Sequence, residues 1–243
     1  GLKYILEAQY ANGGWPQFYP DTSGYRKYIT FNDGAMTGIM RVLQRVVRKD
    51  AGFVPADSVL HEQVVAAYNK GLECILKAQI RENDTLLVWG QQHDEITLEP
   101  RWARTFEPAA ICNGESSDIV EFLMSIETPG PEVKNAVESA VAWFNKSGIQ
   151  GIRIWTVPAP TVQFQYNKSS IDRMVMPDSA APTIWARYYQ PQTHLPIFCN
   201  RDGIIVYTFT EVERERRVGY AWYIYSPQDV LNAYPAWKKR VYD

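Results

Sequence analysis

Apolar positions recur along most of the chain at helical spacing. In the stretch Gly1 to Gln9, Leu2, Ile5 and Leu6 fall at i, i+3 and i+4, which lays one apolar stripe along a helix. The stretch Gly71 to Gln79 repeats it at an offset of 70, with six of nine positions identical. Each copy is followed by a turn and a tryptophan, Trp15 in the first and Trp89 in the second. A looser third copy runs from Val137 to Phe144 and is followed by Trp155. Between the first two copies, Asp33 to Val47 carries Ile39, Met40, Leu43 and Val47 on one face, with Asn32 or Asp33 as a candidate N-cap. Further helices are predicted over Pro55–Leu76, Ser116–Ser125, Glu132–Phe144 and, shorter, Asp229–Trp237. Helix pairs repeated at a fixed period cannot bury their faces alone and stack on their neighbours. The fold expected is therefore mainly α, an (α/α) toroid of repeated helix pairs.

Residues Ile152 to Tyr207 break this pattern. They are rich in proline and aromatics, with short β-prone runs such as Gly203 to Tyr207 after the turn signal Arg201-Asp202-Gly203. Long loops with a small strand pair are predicted there. No low-complexity segment or linker interrupts the chain, so a single domain over 1–243 is expected.

The net charge of −2 gives no bulk attraction for nucleic acid, yet arginines crowd the second half of the chain. The three cysteines, Cys74, Cys112 and Cys199, form no paired motif and imply neither a disulfide framework nor a zinc site. No apolar run reaches the length of a membrane span. Aromatics make up 13%, more than a core alone needs, and flat rings such as Tyr19 suit sugar faces, whereas Trp15 is expected in the core.

Several segments together resemble the family-ten pectate lyases, in the family's order and over nearly the whole chain. They are Gly13-Gly-Trp-Pro-Gln-Phe-Tyr-Pro20, Phe31-Asn-Asp-Gly-Ala-Met36, Trp89 to Asp94, Arg101-Trp-Ala-Arg-Thr-Phe-Glu-Pro108, Asp172-Arg173, Trp185-Ala-Arg187-Tyr-Tyr189, Arg201-Asp-Gly203 and Tyr234 to Trp237. The resemblance implies a toroid fold and calcium-assisted β-elimination on polygalacturonate. In that reaction a base takes the C5 proton of a uronate and the C4 glycosidic oxygen leaves. The uronate carboxylate must be neutralised first, which Ca²⁺ and arginine clamps can do.

By the same resemblance Asp33 is a calcium ligand and Arg104 the catalytic base. On the residues alone, Asp33 reads as a helix cap and Arg104 as a salt-bridge partner of Glu107 or Glu115. An arginine base needs a transiently neutral guanidine, so an alkaline optimum is implied. Arg173, Arg187 and Arg201 are expected to clamp uronates, although Arg201 can also pair with its neighbour Asp202. His93 and Asp94 are expected to orient substrate.

Members of the family carry a further acidic block before the first repeat helix, which here opens the chain. This leaves two readings: an active lyase, or a pectin-binding module derived from one. A hydrolase using Asp33 and Asp94 is a third. The implied partners are pectin oligosaccharides and the expected state is a monomer, a module of a larger extracellular, periplasmic or cell-surface protein.

Overall fold

The computed structural model describes residues 1–55 and 57–243. Among the described residues, seven α-helices form: α1 (Leu2–Ala8), α2 (Ala35–Val47), α3 (Ser58–Ala78), α4 (Asn113–Met124), α5 (Pro131–Ser147), α6 (Arg214–Gly219) and α7 (Ser226–Tyr242). The helix expected from Pro55 starts later, because the Asp57 carboxylate accepts the Val59 N–H at 2.9 Å and caps α3; residue 56 lies outside the described residues. The helix expected from Asp33 begins at Ala35. Asp33 and Gly34 both hold left-handed backbone, φ 53° and 69°, so Asp33 ends the preceding turn and does not cap the helix.

The internal repeat has a physical basis in buried polar contacts. The indole N–H of Trp15 donates to Ile5 O at 2.8 Å, and that of Trp89 donates to the equivalent Ile75 O at 2.7 Å. Gln9 and Gln79, also equivalent, each use their amide to tie the following loop to a neighbouring helix, through Gly13 and Ala67 in one case and Leu87 and Ala136 in the other. In the third copy the indole belongs to Trp185, which donates to Phe144 O at 2.9 Å. Trp155, the residue expected there, is half exposed.

Helices α1, α3 and α5 pack in sequence, as do α2, α4 and α7, with α2 against α3 and both α4 and α7 against α5. The expectation of a mainly α toroid is corrected on two counts. The chain is 43% helix but also 20% strand, and no closed toroid is seen. The strands are β1 (Ile29–Thr30), β2 (Arg81–Glu82), β3 (Thr85–Leu86), β4 (Gln92–His93), β5 (Ile111–Cys112), β6 (Ile152–Gln163), β7 (Lys168–Pro177), β8 (Trp185–Ala186), β9 (Tyr188–Tyr189), β10 (Pro196–Cys199), β11 (Ile205–Val206) and β12 (Tyr223–Ile224). Strands β6 and β7 pair only with each other, in an antiparallel ribbon longer than the small strand pair expected among loops there. Prolines 158, 160 and 177 disguise it in the sequence; a two-stranded ribbon is all edge and tolerates them.

A larger core fills the space between the helices, and a smaller, aromatic-rich one (Phe106, Tyr188, Phe198, Phe209, Trp222) lies under the short strands. The functional candidates sit where the four-stranded sheet β11-β10-β9-β5 meets α4 and the 89–107 loops. No helix among the described residues is long and apolar enough to cross a membrane.

Candidate functional site

Strand β5 runs straight into α4, and its Cys112 lies opposite Tyr188 of β9. That register brings Glu115, one turn into α4, against Arg187, the residue before β9. Their ion pair is largely buried, with the arginine side chain 15% and the carboxylate 6% exposed. The backbone fixes Arg187 from both sides, since Asn113 N–H donates to Arg187 O at 2.9 Å and Arg187 N–H to Trp222 O at 2.7 Å. The guanidinium lies 4.9 Å from the Tyr220 ring centroid, and its Nε is buried with no hydrogen-bond partner. Burial pulls the Arg187 pKa down, but the charge of Glu115 outweighs it and leaves the group raised.

Arg187 and Glu115 line an open cavity of about 400 Å³ with Asp33, Asp118 and Arg41. Asp118 is one helical turn beyond Glu115, pairs with Arg41 at 2.6 Å and accepts from the Thr37 hydroxyl. Asp33 is exposed and, among the described residues, carries no ion pair. The cavity therefore holds one uncommitted carboxylate beside two that arginines already engage. These are hard oxygen donors of the kind Ca²⁺ takes, yet no group of three acidic, His or Cys side chains among the described residues forms a ready cage.

Arg104 stands apart from this wall. It sits in a tight turn in which Glu107, 1% exposed, accepts from Arg104 N–H at 3.2 Å and Nε at 2.8 Å, and also from Nη2. Glu107 holds the Arg104 guanidinium above the ordinary arginine range and accepts a further bond from Asn32 Nδ2 at 3.3 Å, next to Asp33. Of the two partners considered for Arg104, Glu107 is the one used; Glu115 belongs to Arg187.

The Phe106–Tyr220 pair (5.5 Å between centroids, edge-on) gathers the arginines. Arg104, Arg201 and Arg216 lie 5.0, 5.2 and 4.7 Å from the Phe106 centroid. Arg173 Nη1 donates to Arg217 O and Tyr220 O, each at 3.3 Å. Arg201 pairs with Glu215 through two bonds of 2.9 and 3.0 Å, not with Asp202. Burial pushes Glu215 up, but Arg216 and Arg201 together bring it down to about 2. Arg104, Arg173, Arg187 and Arg201 thus come together.

His93, Asp94 and Tyr19 do not join them. His93 is fully buried, its Nδ1–H donating to Leu98 O at 2.7 Å and its Nε2 accepting from Gly90 N–H at 2.9 Å, so neither nitrogen can meet a ligand. Desolvation lowers its pKa to about 4. A His that is neutral when folded but protonates near pH 6.5 when unfolded stabilises the fold above that value and loses the contribution as pH falls toward 4. Stability measured by denaturant titration is expected to fall by up to about 3 kcal/mol over that interval; an identical fall in His93→Gln assigns the loss elsewhere. Asp94 accepts the Ile96 and Thr97 N–H groups and pairs with Arg101, an arrangement that draws its pKa down to about 2. Both residues are spent on holding their own loop, and neither lines the cavity of Arg187 and Asp33. Tyr19 donates to Glu7 at 2.9 Å and lines a separate cavity with Trp15, which is buried as expected.

Gln91 and Tyr220 were not foreseen. Gln91 Nε2 reaches Glu115 at 3.4 Å, its Oε1 accepts from Tyr188, and the Tyr188 and Tyr220 hydroxyls meet at 2.8 Å. Asp118 could have been found, since it shares a helix face with Glu115.

Arg104, Arg201 and Arg216 stand against the Phe106 ring and Arg187 against the Tyr220 ring, and guanidinium groups so gathered have the chemistry to attract an anionic ligand. A family model described as pectic acid lyase matches residues 1–231, and the chain belongs to that family. Among solved structures, a family 10 polysaccharide lyase from Cellvibrio cellulosa is 30% identical with a TM-score of 0.84, over 98% of this chain and 71% of its own. An aspartate-to-alanine mutant of that lyase, in complex with trigalacturonic acid, matches at 30% identity and TM-score 0.83, over 96% and 71%. No curated protein matches the chain.

Proposed function

We propose that the protein cleaves polygalacturonate by β-elimination, assisted by Ca²⁺, outside the cell or at its surface. The observation that carries this reading is the shared cavity, in which a mostly buried arginine with an unpartnered Nε, Arg187, stands with the uncommitted carboxylate of Asp33. The trigalacturonic acid bound by the related lyase supports the same substrate class here.

In this reading Asp33, the uncommitted carboxylate of the cavity, would supply the protein's oxygen ligand for Ca²⁺. When bound there, Ca²⁺ would supply charge neutralisation of the uronate carboxylate, which would make the C5 proton more acidic. Arg187 takes that proton. Its guanidinium lines the cavity and keeps a buried Nε unpartnered, whereas Arg41 beside it is paired with Asp118. Arg104, the base that the family resemblance implies, lies outside this cavity with its Nε and Nη2 on Glu107, and serves as a uronate clamp with Arg173 and Arg201. The charge of Glu115 favours the protonated guanidinium, so the neutral base forms only at high pH and cleavage is expected to rise steeply with pH in the alkaline range.

The alternative of a pectin-binding module without catalysis draws on the lack of a ready metal cage. Incubation with polygalacturonate at alkaline pH, with Ca²⁺ or with chelator, separates the two. Calcium-dependent growth of ultraviolet absorbance from the unsaturated product is expected; binding with no absorbance gain leaves the module reading.

A further inference from the structure

The ribbon β6–β7 reaches past the arginine cluster and carries an aromatic residue at its tip that none of the roles above uses. Tyr166 lies in the turn between the strands and is 63% exposed. The Arg201 guanidinium stands 4.1 Å from its ring centroid, and the same guanidinium faces Phe106 at 5.2 Å. Arg201 is thus held between two rings, one in the cluster that contains Arg104 and one in the ribbon. Its geometry is set by the two bonds to Glu215, itself nearly buried. The ribbon is tied down along its length: Arg217 makes two bonds to Asp172, at 2.8 and 2.6 Å, and Arg214 donates to the carbonyls of Ile171 and Pro160 at 3.0 and 2.8 Å. The tip turn is closed by Phe164 N–H to Asn167 O at 2.8 Å. Tyr166 is therefore an exposed ring on a braced support.

We infer that Tyr166 and Arg201 form a distal sugar subsite, in which the free face of the Tyr166 ring carries a galacturonate ring of the bound polymer and Arg201 attracts its carboxylate. This rests on the reading of the protein as a polygalacturonate binder and extends it to chain length. A saccharide ring presents an apolar face of C–H groups that suits an aromatic platform, and a guanidinium against the other side of that platform adds charge where a polyanion passes. Neither Tyr166 nor Arg201 lines the cavity of Arg187 and Asp33, so in this proposal a short oligomer seated in the cavity leaves the platform free and a longer one extends onto it.

The test is calorimetric binding of tri- and hexagalacturonic acid in Ca²⁺ to the parent protein, Tyr166→Ala and Tyr166→Phe. In the parent the hexamer binds more tightly than the trimer, and Tyr166→Ala cuts that advantage by about fivefold, the worth of one aromatic contact. Tyr166→Phe keeps it, since the ring and not the hydroxyl is the platform. An advantage as large in Tyr166→Ala as in the parent overturns the subsite while leaving polygalacturonate binding intact. If the parent binds neither oligomer, the functional reading falls, and the subsite falls with it.

Discussion

Arg187→Ala is expected to lower the turnover of polygalacturonate by about 10³-fold, within the range that a positioned base contributes. Arg104→Ala is expected to raise KM more than it lowers kcat, as loss of a clamp does. The contrast follows from geometry, because only Arg187 shares the cavity wall with Asp33 and keeps a buried N–H unspent. Removing Arg187 alone also strands the charge of Glu115 in a buried position, which can cost about 3 kcal/mol or more of stability. The paired variant Arg187→Met with Glu115→Gln removes that penalty and isolates the chemistry. Arg187→Lys gives a further readout: a lysine ionises near pH 10.4, below arginine, so any activity left should peak at lower pH. Loss of kcat in Arg104→Ala with normal kcat in Arg187→Ala would return the base role to Arg104. Initial rates across the alkaline range decide between the two.

The repeat was legible because it is written twice in the same residues. Ile5 and Ile75 accept equivalent indoles, and Gln9 and Gln79 make equivalent bonds. The third copy was misread at its tryptophan because Trp185 lies 41 residues from its acceptor, with the ribbon inserted between them. The ribbon itself was illegible for a reason of chemistry: prolines that would break a central strand cost little in one with free edges. Among the site residues, local pairs could be weighed in the sequence, and Arg104 with Glu107 was. Arg187 with Glu115 spans 72 positions and depends on the β5–β9 register, which no local pattern encodes. His93 and Asp94 stand in a segment shared with the family, yet burial assigns them to the loop. Adjacency to a motif marks a neighbourhood and not a role.

Gly13→Ala is expected to destabilise the fold by about 3 kcal/mol or more, enough to unfold a large fraction of a marginal domain. Gly13 holds φ 94°, where an alanine is strained, and a Cβ there would overlap the backbone carbonyl of Lys70 in α3. Backbone cannot rotate aside as a side chain can, so relief requires α3 to shift from the turn. That turn is the one Gln9 pins through Gly13 O and Ala67 O, and it leads into Trp15, whose ring lies against Gly71. Gly24, also at positive φ (58°), has open space around its Cβ position and supplies the control. Gly24→Ala should cost about 1 kcal/mol, the backbone penalty without the clash. Thermal unfolding of the three proteins measures both steps. Equal losses at Gly13 and Gly24 would show that the close approach to Lys70 adds nothing, and that Gly13 is there for φ alone.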